Sequence, residues 1–179
     1  RDEGGHRLLP GLIANPALSE MEWVYFNAHG EEQGGSGRRF SVFVAYFTQG
    51  LRFMVVRVFD ATDRFIGEFT GSAWGLLRAS PERLDLSFLH GGGTDSWVTP
   101  RDGNGNLMPF ASELKATDDA GHFALELRTV NQKRPYEAGG KGYLPFGRRG
   151  AFYYYSLTRL AVEGALELDT AGGGRETVQ

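Results

Sequence analysis

The chain has 179 residues, enough for one domain with a sizeable core and too few for two of full size. Its 41% hydrophobic and 23% charged residues are ordinary for a globular protein, and a net charge of -3 with no basic patch argues against nucleic acid as a partner. The absence of cysteine excludes a disulfide framework, a thiolate metal site and a cysteine nucleophile.

No apolar stretch approaches the roughly 18 residues of a membrane helix, so no membrane span is expected. The opening RDEGGHRLLPGL lacks the charged start and apolar core of a signal peptide. A cytoplasmic bacterial protein is expected, with a removed signal peptide left open because the chain begins at Arg1. Its 26 glycines, 7 prolines and 13% aromatics point to many short strands separated by turns.

Residues 1–20 show no sustained period and read as an arm. From Glu22 the pattern is that of a strand, with Trp23, Tyr25 and Asn27 on one side and Val24, Phe26 and Ala28 on the other. EEQGGSG is a hairpin loop and RFSVFVAYF a second strand. LRFMVVRVFD gives a third strand, FIGEFTGSAWGLL one or two more broken at Gly67 and Gly71, and LDLSFL another. GGGTDSWVTPRDGNGNL reads as a long irregular loop near an opening. MPFASELKAT and GHFALELRTV form a hairpin across DDAG, the second alternating Phe123, Leu125, Leu127 and Thr129 against His122, Ala124, Glu126 and Arg128. NQKRPYEAGGKGYLPFGRRG is a second long loop, and AFYYYSLTRLAVEGALEL closes the pattern. No stretch keeps a helix period over three turns. Nine or ten strands must hide their edges, which a closed or nearly closed antiparallel barrel does, with a sandwich as second choice. The domain spans 21–170, and 171–179 is a polar tail shaped like a hairpin loop leading to a further strand.

His6, His29, His90 and His122 are scattered and make no metal motif, and no metal is expected. There is no GxSxG, and the GGG at 91–93 and GGKG at 139–142 do not link a strand to a helix, so both read as mobile loops rather than phosphate cradles. The informative residues are the aromatics Trp23, Tyr25, Phe43, Tyr46, Phe47, Phe53, Trp74, Phe88, Tyr153, Tyr154 and Tyr155. More than half should fill the core. The tyrosines and tryptophans carry donors that need partners when buried, which makes their cluster a candidate pocket for a large apolar ligand with few polar atoms. Glu22 and Arg159 are charges placed to pair at a barrel end if both are internal.

EWVYFNAHG resembles the E-W-W-Y-F-x-G-H motif, and FYYYSLTRLAVEGAL the Y-Y-S-x-T-R-L-x-V-x-G-x-L motif, of the AttH-like and hydroxyneurosporene synthase (carotenoid 1,2-hydratase) family of lipocalin-like proteins. RRFSVFVAYF and LRTVNQKRPYEAGGKGY are similar to further family segments, so the resemblance covers most of residues 22–168. Glu22, Trp23, Tyr25, Asn27 and His29 match the first motif, and Tyr154, Tyr155, Ser156, Thr158 and Arg159 the second; Val24 and Ala28 depart from it. The resemblance implies tandem lipocalin-like barrels with a ligand pocket in and between them, and work on long apolar polyenes by hydration or by Diels-Alderase [4+2] cycloaddition. It implies a hydrophobic small-molecule substrate, no cofactor, and a second lipocalin-like chain or domain completing the pocket.

A cycloaddition needs a folded substrate and hydrogen bonds to a carbonyl, whereas alkene hydration needs a strong acid in a dry pocket. Cyclisation of a polyene is therefore the expected activity, with hydration and non-catalytic carriage as alternatives. Tyr155, Asn27 and Glu22 are the expected catalytic residues. Trp23, Tyr25, Phe43, Phe47, Trp74, Tyr153, Ser156 and Arg159 are expected to bind substrate.

Overall fold

The computed structural model describes residues 23–47, 53–60, 67–80, 83–140, 142–146, 150–169 and 173–179. It is an all-β structure, 66% strand, in which a ten-stranded antiparallel sheet curls through 301° into a lipocalin-like barrel open along one seam. The sheet strands are β1 (Trp23–Glu31), β2 (Arg39–Phe47), β3 (Phe53–Asp60), β4 (Gly67–Ala79), β5 (Asp85–His90), β6 (Gly93–Val98), β7 (Ala111–Thr117), β8 (Phe123–Asn131), β13 (Leu160–Asp169) and β14 (Arg175–Val178). From β1 to β8 each strand pairs with the next, and β13 and β14 follow on the far side of β8. Between β8 and β13 the chain leaves the sheet for a flap. It comprises β9 (Tyr136–Glu137) paired with β12 (Tyr155–Ser156), a 3₁₀ turn at Ala138–Gly140, and the hairpin β10 (Tyr143–Phe146) and β11 (Gly150–Tyr153). No helix among the described residues is long and apolar enough to cross a membrane.

Strand alternation builds the core. Val24 and Phe26 of β1, Val42, Val44 and Tyr46 of β2, Met54, Val56 and Val58 of β3, and Leu86 and Phe88 of β5 are buried with Trp97, Leu114, Phe123, Leu125 and Leu166 in one cluster. Tyr46, Phe88, Phe123, Met54, Leu86 and Leu114 lie below 2% exposure, so the barrel interior is packed with side chains. The buried Trp97 indole donates to Ser112 Oγ at 3.0 Å, which lies 2.8 Å from Thr129 Oγ1.

Several expectations are corrected. Gly67–Ala79 is one unbroken strand, because Gly67 and Gly71 stay in register opposite Asp60 and Val56. A Cβ at Gly75 of the same strand would stand 2.1 Å from the Leu89 carbonyl oxygen, so there glycine permits close backbone approach. The stretch taken as loop from Gly91 contains β6, and the GGG run is a tight turn rather than a mobile loop. At Gly92 a Cβ would lie 2.0 Å from the Asp118 carbonyl oxygen, so the β5–β6 and β7–β8 turns pack backbone to backbone. The loop that remains is ordered by Asp102, whose Oδ1 accepts the amides of Asn104 and Asn106 at 2.9 and 2.8 Å. The second long loop carries β9, the 3₁₀ turn and β10. Within the C-terminal segment, Arg175–Val178 forms β14 and pairs with Leu166–Asp169 of β13. The expected arm 1–20 lies outside the described residues.

β1 and β14 are the sheet edges, and they meet at one end. The Gln33 amide donates to the Gln179 carbonyl at 2.8 Å, and Arg38 donates to both Glu176 carboxylate oxygens at 3.1 Å while its guanidinium sits 4.9 Å above the Phe40 ring.

Candidate functional site

The face of β1–β4 turned away from the core is aromatic. Register places Tyr25 opposite Ala45, Asn27 opposite Phe43, and Phe47 opposite Phe53, which in turn faces Trp74. Phe47 and Phe53 stack at 4.3 Å and 10°, Phe53 lies 5.1 Å from Trp74, and Tyr25 lies 6.1 Å from Phe43. Trp74 is 56% exposed and Leu76, two residues on, 64%, so the wall continues as an open apolar surface.

The flap reaches this wall through Tyr154, whose hydroxyl lies 2.8 Å from that of Tyr25. Ser156 also hydrogen-bonds the Tyr25 hydroxyl. Tyr154 is positioned by its own backbone: its amide donates to Gly142 at 2.7 Å, and its carbonyl accepts from Ala138 at 3.1 Å. The Tyr154 hydrogen bond, then burial and the Tyr154 charge, raise the Tyr25 pKa above its ordinary 10.0 against a smaller opposite pull from Ser156. Tyr25 therefore stays a neutral hydroxyl at neutral pH, fit to donate to a carbonyl oxygen.

The structure brings Tyr25, Ser156 and Phe43 together, with Asn27 across from Phe43 on the same face. Phe47 and Trp74 continue the wall. All stand on the outer face of the sheet, and the interior positions are taken by Tyr46, Phe88 and their neighbours. Tyr155 is half-buried in β12, opposite Glu137. Tyr153 pairs with Tyr143 in the flap hairpin, and Trp23 with Phe47 at the start of β1; the side chains of Tyr153 and Trp23 lie outside the described residues. Glu22 also lies outside them. Arg159 is exposed rather than internal, and its carbonyl takes the Gln132 amide at 2.9 Å. Sequence reasoning had matched Tyr154 to a motif without giving it a role; only the flap's path assigns one.

A second polar centre was missed altogether. Inside the barrel the Tyr46 hydroxyl donates to Asp95 Oδ2 at 2.9 Å, and Asp95 Oδ1 takes the Thr117 amide at 2.9 Å. His90 spans two carboxylates, Nε2 at 3.1 Å from Asp95 and Nδ1 at 2.8 Å from Asp119. The His90 and Asp95 side chains are fully shielded, while Asp119 reaches solvent. Burial alone would lower the His90 pKa, but the hydrogen bonds and charges of Asp95 and Asp119 outweigh it and raise it above 6.5. Burial raises Asp95 above its ordinary 3.8, against the bonds from His90, Thr117 and Tyr46. For Asp119 the burial penalty is outweighed by His90 and by the Gly92 and Gly91 amides, which hold it below 3.8. Next to this chain, Asp118 accepts the His122 amide at 2.7 Å and lies 3.1 Å from its ring. The packed core leaves this centre a structural clasp across β2, β5, β6 and the β7–β8 turn. Its residues are 5 and 29 positions from His90, a separation no short motif would flag.

A shallow cleft of about 420 Å³ lies at the polar end of the outer face, lined by His29, Gly30, Glu31, Arg39 and Phe40, with Ser41 Oγ hydrogen-bonded to His29 Nδ1. Compared with known proteins, the chain matches no family model, no curated protein and no solved structure.

Proposed function

We propose that the chain binds a long apolar polyene along the outer aromatic wall of β1–β4 and catalyses its intramolecular cyclisation by [4+2] cycloaddition. The observation that carries this reading is the Tyr25–Tyr154 hydroxyl pair, which sets two phenols and Ser156 beside the rings of the wall. The wall would hold a flexible chain in a folded conformer and so lower the entropic barrier. The hydroxyls would donate to a carbonyl conjugated with the dienophile, drawing electron density from it as the ring closes. No proton leaves the phenol in such a step. A tyrosine phenol is too weak an acid to protonate an alkene, yet its hydroxyl can donate a hydrogen bond to a carbonyl. Cyclisation is favoured over hydration on that ground.

The test is to incubate the protein with a linear polyene bearing a terminal diene and a carbonyl-activated alkene, and to follow ring closure by chromatography. Ring closure faster than in buffer is expected, falling roughly 10- to 100-fold in Tyr25→Phe and Tyr154→Phe. Tight binding with the polyene recovered unchanged would replace this reading with carriage. Oxygen taken up from labelled water would replace it with hydration.

A further inference from the structure

The seam of the barrel is covered along part of its length. β14 pairs with β13 from Leu166 to Asp169, and among the described residues no strand pairs with the same edge from Leu160 to Ala165. Across the seam β1 begins the sheet, so Phe26–Glu31 have β2 as their one strand partner among the described residues. Beyond Leu160, at the flap, the Tyr25 side chain reaches Tyr154 and Ser156. Burial records the difference along β13. Val162 stands opposite the buried Thr129 and shares a side of the strand with Leu166, yet it is 40% exposed where Leu166 is 5%. Alternation alone would bury both; Leu166 has β14 beside it, and Val162 has no such neighbour. Leu160 of β13 and Ala28 of β1 are likewise only partly buried against the core. Exposed edges are usually blunted by lysine, proline or a bulge. Leu160–Ala165 has neither residue, keeps an unbroken register with β8, and carries one charge, Glu163.

We infer that this stretch of the seam is a β-augmentation site, taking an extended peptide of another chain that alternates apolar and basic residues. β1 and β13 run in the same direction in an antiparallel sheet, so one strand can lie antiparallel to both and continue the line of β14. Its main chain supplies partners for the N–H and C=O groups along both edges. Apolar side chains at alternate positions cover Val162 and Ala28 on the core side, and a basic one on the outer side makes an opposite-charge cross-strand pair with Glu163. The inference stands apart from the polyene reading, because the seam recognises main chain and the wall recognises rings and chains of carbon.

The probe is a capped heptapeptide of alternating lysine and valine, added to the full chain while amide hydrogen exchange is followed residue by residue. The expected result is new protection within Leu160–Ala165 and Phe26–Glu31, lost when the valines of the peptide are N-methylated and can no longer donate. Val162→Lys should abolish binding and leave Tm unchanged, since that side chain already meets solvent. Glu163→Lys should weaken the lysine peptide about 2- to 5-fold and favour a glutamate–valine peptide by a similar factor. Protection of Leu160–Ala165 before peptide is added overturns the inference, because the edge is then paired from within the chain. Binding that survives N-methylation, protection that appears elsewhere, or no binding at all overturns it too. Self-association that Val162→Lys abolishes would make the occupant a second copy of this chain and overturn the assignment to a foreign peptide.

Discussion

Replacing Asp95 with alanine should be among the most damaging single changes to the barrel, and its cost follows from the partners it strands. The carboxylate takes the Tyr46 hydroxyl and the Thr117 amide at 2.9 Å each and the His90 ring at 3.1 Å. In the variant, His90 and Tyr46 keep polar atoms in the core whose acceptor has gone. Breaking a buried charged pair from one side costs about 3–5 kcal/mol, which for a chain of this size lowers Tm by roughly 6–20 °C. Asp95→Asn keeps the shape and one acceptor and should cost about half as much. Tyr46→Phe alone removes a hydrogen bond to a charged group, about 1.5–3 kcal/mol. In the Asp95→Ala background the same change should cost less than about 1 kcal/mol, because the acceptor has already gone. Urea melts followed by Trp97 fluorescence suit the measurement, since that indole lies 6.5 Å from the Tyr46 ring inside the same core. If Asp95→Ala loses less than about 1 kcal/mol, or Tyr46→Phe costs the same in both backgrounds, the chain of bonds is not the fastener argued above.

The same clasp makes stability depend on pH with a definite sign. The His90 contribution is complete below its unfolded value of 6.5 and is lost as pH rises through the raised folded value, and Asp95, raised by burial, pushes the same way. The urea midpoint should therefore fall as pH rises above about 6.5, and His90→Gln should flatten that slope; a midpoint that rises there contradicts the assignment. Gly92→Ala should lower Tm, because its new methyl would meet the Asp118 carbonyl oxygen at 2.0 Å and backbone cannot swing aside as a side chain can; an unchanged melt would show that the two turns do not touch. Arg38→Ala should cost at most about 1 kcal/mol, as half-exposed pairs do, yet should speed amide hydrogen exchange in β14, which that arginine ties down. Equal exchange in variant and wild type would remove the seam contact from the account.

How far the fold was legible depended on what kind of signal each element carries. β8 announced itself, because Phe123, Leu125 and Leu127 alternate with polar residues and strand period is a local property. β6 did not: GTDSWV holds a buried Asp95, and the reason an aspartate belongs there is Tyr46, on a strand far earlier in the chain. Glycine misled at 91–93, where conformational freedom suggested a mobile loop, whereas Gly92 is needed for close backbone approach. The sequence singled out the aromatic residues of the wall, but not the side of the sheet each one takes. Alternation separates Tyr25 from Phe26 without saying which of two apolar faces turns inward, and that choice was settled by packing of the whole barrel. The Tyr25–Tyr154 contact joins residues 129 positions apart, which no local pattern encodes.

The seam has a consequence for how the chain reaches its fold. Every pairing from β1 to β8 joins neighbours along the chain, so each hairpin can form soon after its residues meet, at little cost in loop entropy. The bond from Gln33 to Gln179 is of another kind, because it ties the first hairpin to the last strand. It can form only after the sheet has curled almost full circle, and so belongs late on the folding route. Until then β1 and β14 present unpaired edges, ready to accept a strand from a neighbouring molecule. Dilution during refolding, rather than any change of sequence, is the simplest way to let the barrel find its own edge first.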